Sequence, residues 1–202
     1  MVILLTPVGF LLGSIPFSVL LGRLAGRGDV RRFGDGNPGA ANVLRAAGWG
    51  WAILALLLDG FKGAIPVGVA WYVLRVTGIA IVPVALAPVL GHAFSPWLGW
   101  HGGKAVTVTF GIWTGLTLGV GPTILGLLLG LAFAVLASSG WAVMLSMLAF
   151  GLFIAGLYGQ QFPEWIVVWA LNVLILGWMH REDLSWPPRL RPWITRAGRR
   201  RA

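Results

Sequence analysis

Long apolar stretches separated by short polar segments constrain the fold of this 202-residue chain more than any other feature. Hydrophobic residues make up 57% of the sequence and charged residues 10%, whereas a typical soluble domain has about 25% charged residues. A helix that spans a bilayer needs roughly 17–25 predominantly apolar residues. On that measure we predict an all-α integral membrane protein with about seven transmembrane helices, at 2–22, 50–74, 78–98, 106–119, 121–137, 141–158 and 164–180.

The segment GVGP at 119–122 leaves two counts open. Either it is a tight turn between two short spans, or it interrupts one longer helix, which gives six spans. With seven spans, all but two of the 15 basic residues fall on one side of the membrane; Lys62 lies within a span and Arg75 lies on the other side. The positive-inside rule then favours seven spans, with the N-terminus outside and the C-terminus in the cytoplasm.

Hydropathy and charge also indicate the roles of the two ends of the chain. The segment at 1–22 lacks the basic start and the small-residue cleavage site of a signal peptide, so we expect it to be retained as the first span. The arginine-rich end is expected to bind anionic lipid headgroups. We therefore predict a single polytopic membrane domain at 1–184 and a basic cytoplasmic tail at 185–202, and the net charge of +9 indicates no nucleic-acid partner.

Several kinds of chemistry are excluded or disfavoured. The chain has no cysteine, which excludes disulfides, thiolate metal sites and a cysteine nucleophile. The histidines lack the spacing of metal ligands, so no metal is expected, and no cofactor is expected either. The serines lack the GxSxG elbow that carries a serine nucleophile. Asp59 and Lys62 are three residues apart on one helix face, which predicts an ion pair inside the bundle.

Two glycine-rich segments at the predicted cytoplasmic face suggest a site for an anion. FGDGNPGAANVLR at 33–45 offers flexible glycines, amide donors and Arg45, with a short helix predicted after Pro38. GWHGGKA at 99–105 combines glycines with Lys104, as a phosphate cradle does, although its spacing is not that of a Walker loop. From the residues alone, a polar connecting loop and a glycine-rich turn with a topology-setting lysine remain equally open interpretations.

Five motifs together resemble one family. GSIPFSVLLGRL at 13–24, FGDGNPGAANVLR, LDGFKG, GHAFSPWLGWHGGK at 91–104 and HRED at 180–183 occur in the same order as in the bacterial acyl-phosphate:glycerol-3-phosphate acyltransferases known as PlsY. The resemblance covers about 10 to 184 and is weakest between 119 and 177. It implies seven helices, an active site facing the cytoplasm, and acyl transfer from acyl-phosphate to the 1-hydroxyl of glycerol 3-phosphate, which yields lysophosphatidic acid and phosphate. No acyl-enzyme nucleophile is implied.

The resemblance also implies the site residues. Arg45 and Lys104 would bind phosphate, and His180 would orient or deprotonate the acceptor hydroxyl, with the phosphate of the substrate as a competing base. The predicted catalytic residues are His180, Asn37 and Asp183, and the predicted substrate-binding residues are Arg45, Lys104, Gly102, Gly103, Asp35 and His92. The implied partners are acyl-phosphate, glycerol 3-phosphate and membrane lipids in the bacterial cytoplasmic membrane.

The sequence departs from the family pattern at several of these positions. Asp35 replaces a serine and Asp183 replaces an asparagine, so two carboxylates lie where a phosphate would bind. Like charges repel by about 1 kcal/mol at contact range even in high dielectric. The carboxylates would therefore pair with an arginine (Arg31, Arg32, Arg45 or Arg181), bridge to phosphate through a cation, or reflect a different substrate. Further departures are Pro38, Ala41 and Ala105, and the expected serine-rich segment is reduced to Ser138 and Ser139.

Two other functions remain open from the sequence. A family member that binds lipid phosphates without catalysis, or with an altered substrate, is compatible with the changed motif residues. A small anion or lipid transporter would also use glycine-broken helices and basic residues. Such a transporter usually shows internal repeats and a site near the membrane midplane, and we see neither in the sequence.

Overall fold

The structure is a computed structural model that describes residues 1–194, and the protein is all-helical over that range. The helices are α1 (Val2–Ser14), α2 (Phe17–Leu24), α3 (Ala40–Ala47), α4 (Trp49–Gly68), α5 (Ile81–Ala93), α6 (Val106–Thr117), α7 (Val120–Val135), α8 (Ser139–Tyr158), α9 (Pro163–Met179) and α10 (Arg181–Leu184). Helix α4 continues into a π-helical turn at Val69–Val73, and short 3-10 turns lie at Val30–Arg32, Gly78–Ala80 and Pro96–Leu98.

The described residues contain seven apolar helical segments. Four are long and apolar enough to cross a membrane: Val2–Leu24, Trp49–Val73, Gly78–Leu98 and Ser139–Tyr158. Three are shorter: Val106–Thr117, Val120–Val135 and Pro163–Met179. All seven match predicted spans closely. A tight turn at Leu118 and Gly119, both with positive φ angles, separates α6 from α7, and the rest of the GVGP segment begins α7.

The chain forms two compact units. The first is Met1–Gly121, and the second begins at Pro122. In the first unit α1 packs against α5 and α4 packs against α6. Glycine permits this close packing, since a Cβ at Gly111 would collide with the carbonyl oxygen of Gly60, and one at Gly91 with that of Phe10. In the second unit α8 packs against α9, and α10 contacts both.

The first long segment is broken at Ile15–Pro16, which the hydropathy pattern did not predict. Ile15 is extended because the residue before a proline avoids the helical region. The break frees backbone carbonyls inside an apolar environment, where an unpaired polar group is costly. Side chains from other segments satisfy two of them: the Lys62 ammonium donates to the carbonyl of Ile15 at 2.9 Å, and the Ser95 hydroxyl donates to that of Ser14 at 2.6 Å.

The predicted ion pair between Asp59 and Lys62 is confirmed. The Lys62 Nζ atom lies 2.7 Å from Asp59 Oδ1, and each side chain is only 3% exposed. The Ser18 hydroxyl donates to the other carboxylate oxygen at 3.2 Å, and His92 Nδ1 lies 3.9 Å from Asp59 Oδ1. The pair therefore joins α2, α4 and α5 and the Ile15 break through polar contacts.

Removing one charge of this pair is expected to destabilise the fold far more than removing both. Lys62→Met leaves Asp59 buried without its cation, which costs about 3–5 kcal/mol, whereas the double variant Asp59→Asn/Lys62→Met restores most of the loss. Thermal unfolding of the purified protein in detergent measures the difference. Arg31→Met is the control, because it breaks the exposed Arg31–Asp29 pair at a cost below about 1 kcal/mol. Equal melting temperatures for the single and double variants would contradict this account.

The described part of the C-terminal segment contacts the end of α7. The backbone N–H of Arg189 donates to the Ser138 hydroxyl at 2.9 Å, and the Arg191 guanidinium donates to the carbonyls of Phe133 and Leu136. Arg196, Arg199, Arg200 and Arg201 of the predicted tail lie outside the described residues. The division into a domain at 1–184 and a tail at 185–202 stays a prediction.

Candidate active site

The loop at 33–39 and helix α3 form one wall of a polar cluster in the first unit. Gly39 is the N-cap residue of α3, so the predicted helix after Pro38 is confirmed. Val43 on the inner face of α3 is fully buried and anchors the helix against Val19 and Val30. Glycine lets the loop pass close to Arg45, because a Cβ at Gly34 would collide with the Arg45 guanidinium. Gly34 also has a positive φ angle, which glycine adopts without strain.

Asn37 connects this loop to the segment that follows α5. Its side-chain oxygen accepts a hydrogen bond from the backbone N–H of Lys104 at 3.1 Å, although the two residues are 67 positions apart. This contact brings together the two glycine-rich segments that the sequence placed at one membrane face. The side chain of Asn37 thus fixes the backbone of Lys104.

Asn42 lies at the centre of the cluster and is 1% exposed. Its amide group donates to Asp35 Oδ1 at 3.0 Å and to the carbonyl of Asn37 at 2.8 Å. Its side-chain oxygen accepts from Arg45 Nη1 at 2.5 Å. Asn42 therefore fixes the guanidinium of Arg45 relative to the loop. It was not among the predicted site residues, although its position one helical turn before Arg45 is a signal in the sequence.

Asp35 pairs with Lys104 and with none of the arginines that were considered for it. Asp35 Oδ2 lies 3.1 Å from Lys104 Nζ, while Arg31 pairs with Asp29 at 2.7 Å. Partial burial raises the pKa of Asp35, but hydrogen bonds from the Asn37 N–H, Lys104 and Asn42 and the charge of Lys104 outweigh it, so the pKa lies below its usual value. The carboxyl group is therefore ionised at neutral pH.

Gly102 and Gly103 pack the loop tightly against the end of α5. Their N–H groups donate to the carbonyls of Ala93 and His92, both at 3.0 Å. These two N–H groups are thus engaged with α5, and a phosphate would have to compete for them. A Cβ at Gly102 would collide with the carbonyl of His92, and one at Gly103 with the His92 ring. His92 therefore lies between the loop and the buried Asp59–Lys62 pair.

Gly103→Ala is expected to displace the Lys104 loop, because the added methyl group occupies the position of the His92 ring. An overpacked site of this kind typically costs about 1–3 kcal/mol. The melting temperature of the purified protein should fall by several degrees. Gly60→Ala is the matched control, since a Cβ at Gly60 meets nothing within 4 Å. A melting temperature for Gly103→Ala equal to that of Gly60→Ala would show that the loop is not held against His92.

The second unit contains the other two predicted catalytic residues. His180 follows α9 and is 2% exposed, and its Nδ1 atom lies 2.9 Å from the carbonyl of Leu176. When Nδ1 donates to that carbonyl, the lone pair of the neutral ring lies on Nε2. Asp183 on α10 accepts a hydrogen bond from the Ser139 hydroxyl at 2.9 Å. A Cβ at Gly140 would collide with Asp183, so glycine permits α8 to approach α10.

A polar cavity of about 260 Å³ lies beside Asp183 in the second unit. Its lining includes the N-cap and first residues of α8, two acidic residues of α10 and one arginine: Ser138, Ser139, Glu182, Asp183 and Arg189. The two serines are what remains of the serine-rich segment expected from the family resemblance. Arg189 and Glu182 were not predicted as site residues, and no spacing signal in the sequence singled them out.

The structure therefore sorts the predicted site residues into two groups. The first unit brings together Asn37, Arg45, Lys104, Gly102, Gly103, Asp35 and His92. The second unit holds His180 and Asp183, with Ser139 bound to the latter. Among the described residues, no group of three or more His, Cys, Asp or Glu side chains is arranged to hold a metal ion. The first group combines two cations with an amide side chain, and the second combines a candidate base with a carboxylate and a hydroxyl group.

In an all-helical membrane fold, a cluster of cations and amides is of the kind that binds phosphate groups, and comparison with known proteins specifies the family. The family model for glycerol-3-phosphate acyltransferase matches residues 3–186. The glycerol-3-phosphate acyltransferase of Paramagnetospirillum magneticum is 45% identical over 181 residues, covering 87% of this chain and 85% of the relative. Glycerol-3-phosphate acyltransferase 1 of Thermotoga maritima is 35% identical over 194 residues, covering 89% and 94%.

Solved structures agree with the sequence comparisons. The crystal structure of PlsY (YgiH), an integral membrane glycerol 3-phosphate acyltransferase, in its glycerol 3-phosphate form matches with a TM-score of 0.80 and 27% identity, covering 91% of this chain and 90% of that one. Its lysophosphatidic acid form matches with a TM-score of 0.79 and 26% identity over the same shares. The chain belongs to the glycerol-3-phosphate acyltransferase family of integral membrane enzymes that act in phospholipid synthesis.

Proposed function

We propose that this chain transfers a fatty acyl group from acyl-phosphate to the 1-hydroxyl of glycerol 3-phosphate, at a site facing the cytoplasm. The observation that carries the proposal is the cluster in which Asn37 holds the backbone of Lys104 and Asn42 holds the guanidinium of Arg45. It supports the proposal because one amide side chain fixes the backbone that carries the Lys104 ammonium and another binds the Arg45 guanidinium directly. The two cations suit the phosphate groups of the two substrates.

The proposed reaction needs positioning more than activation of a nucleophile on the protein. The 1-oxygen of glycerol 3-phosphate forms a bond to the carbonyl carbon of acyl-phosphate, and the bond from that carbon to the bridging phosphate oxygen breaks. Inorganic phosphate leaves with the bonding electrons, and the ester is lysophosphatidic acid. Since acyl-phosphate is already activated, binding both phosphates at fixed positions and stabilising negative charge on the carbonyl oxygen supply most of the catalysis.

We assign the proton of the acceptor hydroxyl to His180. Its hydrogen bond to the carbonyl of Leu176 supports a tautomer in which Nε2 accepts a proton. Asp183 is proposed to orient the acceptor through Ser139, which donates to it. The phosphate of the substrate is the competing base. The predicted roles of Gly102, Gly103 and His92 are then indirect, since these residues hold the loop that carries Lys104.

Three substitutions test this assignment in different kinetic parameters. Lys104→Ala and Arg45→Ala remove phosphate contacts and should lower kcat/KM by about 10²–10³-fold, and His180→Ala should lower kcat by about 10²–10⁴-fold. The assay measures release of inorganic phosphate from palmitoyl-phosphate by the purified protein, with and without glycerol 3-phosphate. Arg75→Ala is the control, because Arg75 lies in the connection between the second and third long apolar segments.

The opposite outcome would support a non-catalytic member of the family. If native protein released no phosphate in response to glycerol 3-phosphate, and Lys104→Ala behaved identically, the chain would bind lipid phosphates without transferring the acyl group. If Arg75→Ala lost as much activity as Lys104→Ala, the effect would reflect total charge and not the cluster.

The proposed location is the bacterial cytoplasmic membrane, with the N-terminus outside. The support is the distribution of basic residues, which favours cytoplasmic placement of the loop at 33–45, the loop at 99–105 and the C-terminal segment. The absence of cysteine makes the test direct, because any introduced cysteine is then the sole thiol.

Single cysteines should report opposite sides of the membrane. In intact cells, Thr77→Cys is expected to react with a membrane-impermeant maleimide, whereas Arg27→Cys should react only after the membrane is opened. Both residues lie in connections between long apolar segments, which makes them a matched pair. Labelling of Arg27→Cys in intact cells, with Thr77→Cys protected, would reverse the proposed orientation.

A further inference from the structure

The carboxylate of Asp35 already occupies the donors of the polar cluster. Asp35 Oδ2 lies 3.1 Å from Lys104 Nζ. Asp35 Oδ1 accepts from the side-chain amide of Asn42 at 3.0 Å and from the backbone N–H of Asn37 at 3.2 Å. An ammonium, a side-chain amide and a backbone N–H are the groups that bind a phosphate oxygen equally well. Asp35 thus makes the contacts that an anionic ligand would make.

The Asp35–Lys104 pair differs from the structural ion pair deeper in the fold. The side chain of Asp35 is 50% exposed and that of Lys104 is 27% exposed, whereas Asp59 and Lys62 are each 3% exposed. An exposed pair of this kind contributes little to stability, typically below about 1 kcal/mol. Its carboxylate can therefore leave the lysine at low cost and be hydrated.

The backbone around Asp35 also permits such a movement. Gly34 and Gly36 flank Asp35 and adopt φ angles of 57° and 75°, a region that glycine enters without strain. A Cβ at Gly36 would have one neighbour within 4 Å, the carbonyl of Arg31 at 3.7 Å. The space beside Gly36 is therefore open, unlike the space beside Gly102 and Gly103 in the loop that carries Lys104.

We propose that Asp35 is a resident anion: it neutralises Lys104 while the site is empty and must withdraw when a substrate phosphate binds. This inference rests on the proposed function, in which Lys104 binds phosphate. Its consequence is that Asp35 lowers the affinity of the site for phosphate groups. Asp35 also returns to Lys104 as inorganic phosphate leaves, so the same carboxylate limits inhibition by that product.

Asp29 provides a matched control within the same loop region. Its carboxylate is bound by the guanidinium of Arg31, with Nη2 at 2.7 Å and Nε at 3.1 Å from Oδ2. Its partner is Arg31, and neither residue supplies a hydrogen bond or ion pair of the polar cluster described above, so Asp29→Asn removes the same negative charge without removing a contact of the cluster. An effect of total charge on phosphate affinity would therefore appear in both Asp29→Asn and Asp35→Asn. An effect of displacing the Asp35 carboxylate from Lys104 would appear only in Asp35→Asn.

The test is the affinity of the purified full-length protein for inorganic phosphate, measured by isothermal titration calorimetry. Four proteins are compared: native, Asp35→Asn, Asp35→Ser and Asp29→Asn. We expect phosphate to bind about three- to tenfold more tightly to both Asp35 variants, the size expected for removing one exposed charge contact. Asp29→Asn should stay within about twofold of the native protein. Asp35→Asn keeps an oxygen that accepts from Asn42, so its melting temperature should equal the native value.

Several outcomes would overturn the inference. Weaker or unchanged phosphate binding by both Asp35 variants would show that Asp35 does not compete with phosphate. No detectable binding by any of the four proteins would overturn the premise that Lys104 binds phosphate, and with it the inference. An equal gain in Asp29→Asn would indicate general electrostatics. Phosphate affinity that rises with added Mg²⁺ in the native protein, but not in Asp35→Asn, would instead make Asp35 a bridge through a cation.

The calorimetric test is independent of turnover, so the two proposals can fail separately. If Asp35→Asn binds phosphate more tightly but no protein forms lysophosphatidic acid, the proposed function fails and the resident anion stands. If acyl transfer occurs and phosphate affinity is unchanged by Asp35→Asn, the proposed function stands and the resident anion fails. In active protein, Asp35→Asn should also lower the inhibition constant of inorganic phosphate by the same three- to tenfold factor.

Discussion

The buried pair of Asp59 and Lys62 is the interaction on which the first unit depends. Two charges in an apolar bundle are tolerated only when each is paired and its remaining hydrogen bonds are satisfied. Lys62 does this by binding the carbonyl freed at the Ile15 break, and Asp59 does it by accepting from Ser18. His92 lies beside the carboxylate on one side and against Gly103 on the other. The pair therefore supports the loop that carries Lys104.

Amide side chains then convert this support into a defined polar site. Asn37 fixes the backbone of Lys104, and Asn42 fixes both the carboxylate of Asp35 and the guanidinium of Arg45. With the backbone of Lys104 and the guanidinium of Arg45 fixed in this way, the cations are positioned to orient phosphate groups, which is what transfer from an activated acyl donor requires. Asp35 opposes substrate binding, because its carboxylate pairs with Lys104 in place of a substrate phosphate.

Much of this architecture could be predicted from the sequence, because hydropathy and charge act locally. The seven apolar segments, the GVGP turn and the Asp59–Lys62 pair follow from run length, glycine content and helical spacing. The partner of Asp35 could not be predicted, since Lys104 is distant in the chain and reaches Asp35 only after α5 and the loop have packed. The satisfied break at Ile15 likewise depends on contacts between segments that no local pattern encodes. Helical spacing places Asn42 beside Arg45, but it does not predict the bonds from Asn42 to Asp35 and Asn37.

In the proposed reaction the glycerol oxygen attacks the acyl carbon of acyl-phosphate. The most direct measurement uses purified protein, palmitoyl-phosphate and glycerol 3-phosphate labelled with ¹⁸O at the 1-hydroxyl, with the products analysed by mass spectrometry. We expect lysophosphatidic acid that carries the label in its ester bond, together with unlabelled inorganic phosphate. Absence of lysophosphatidic acid, or formation of free palmitate with the label in a phosphorylated glycerol, would contradict it.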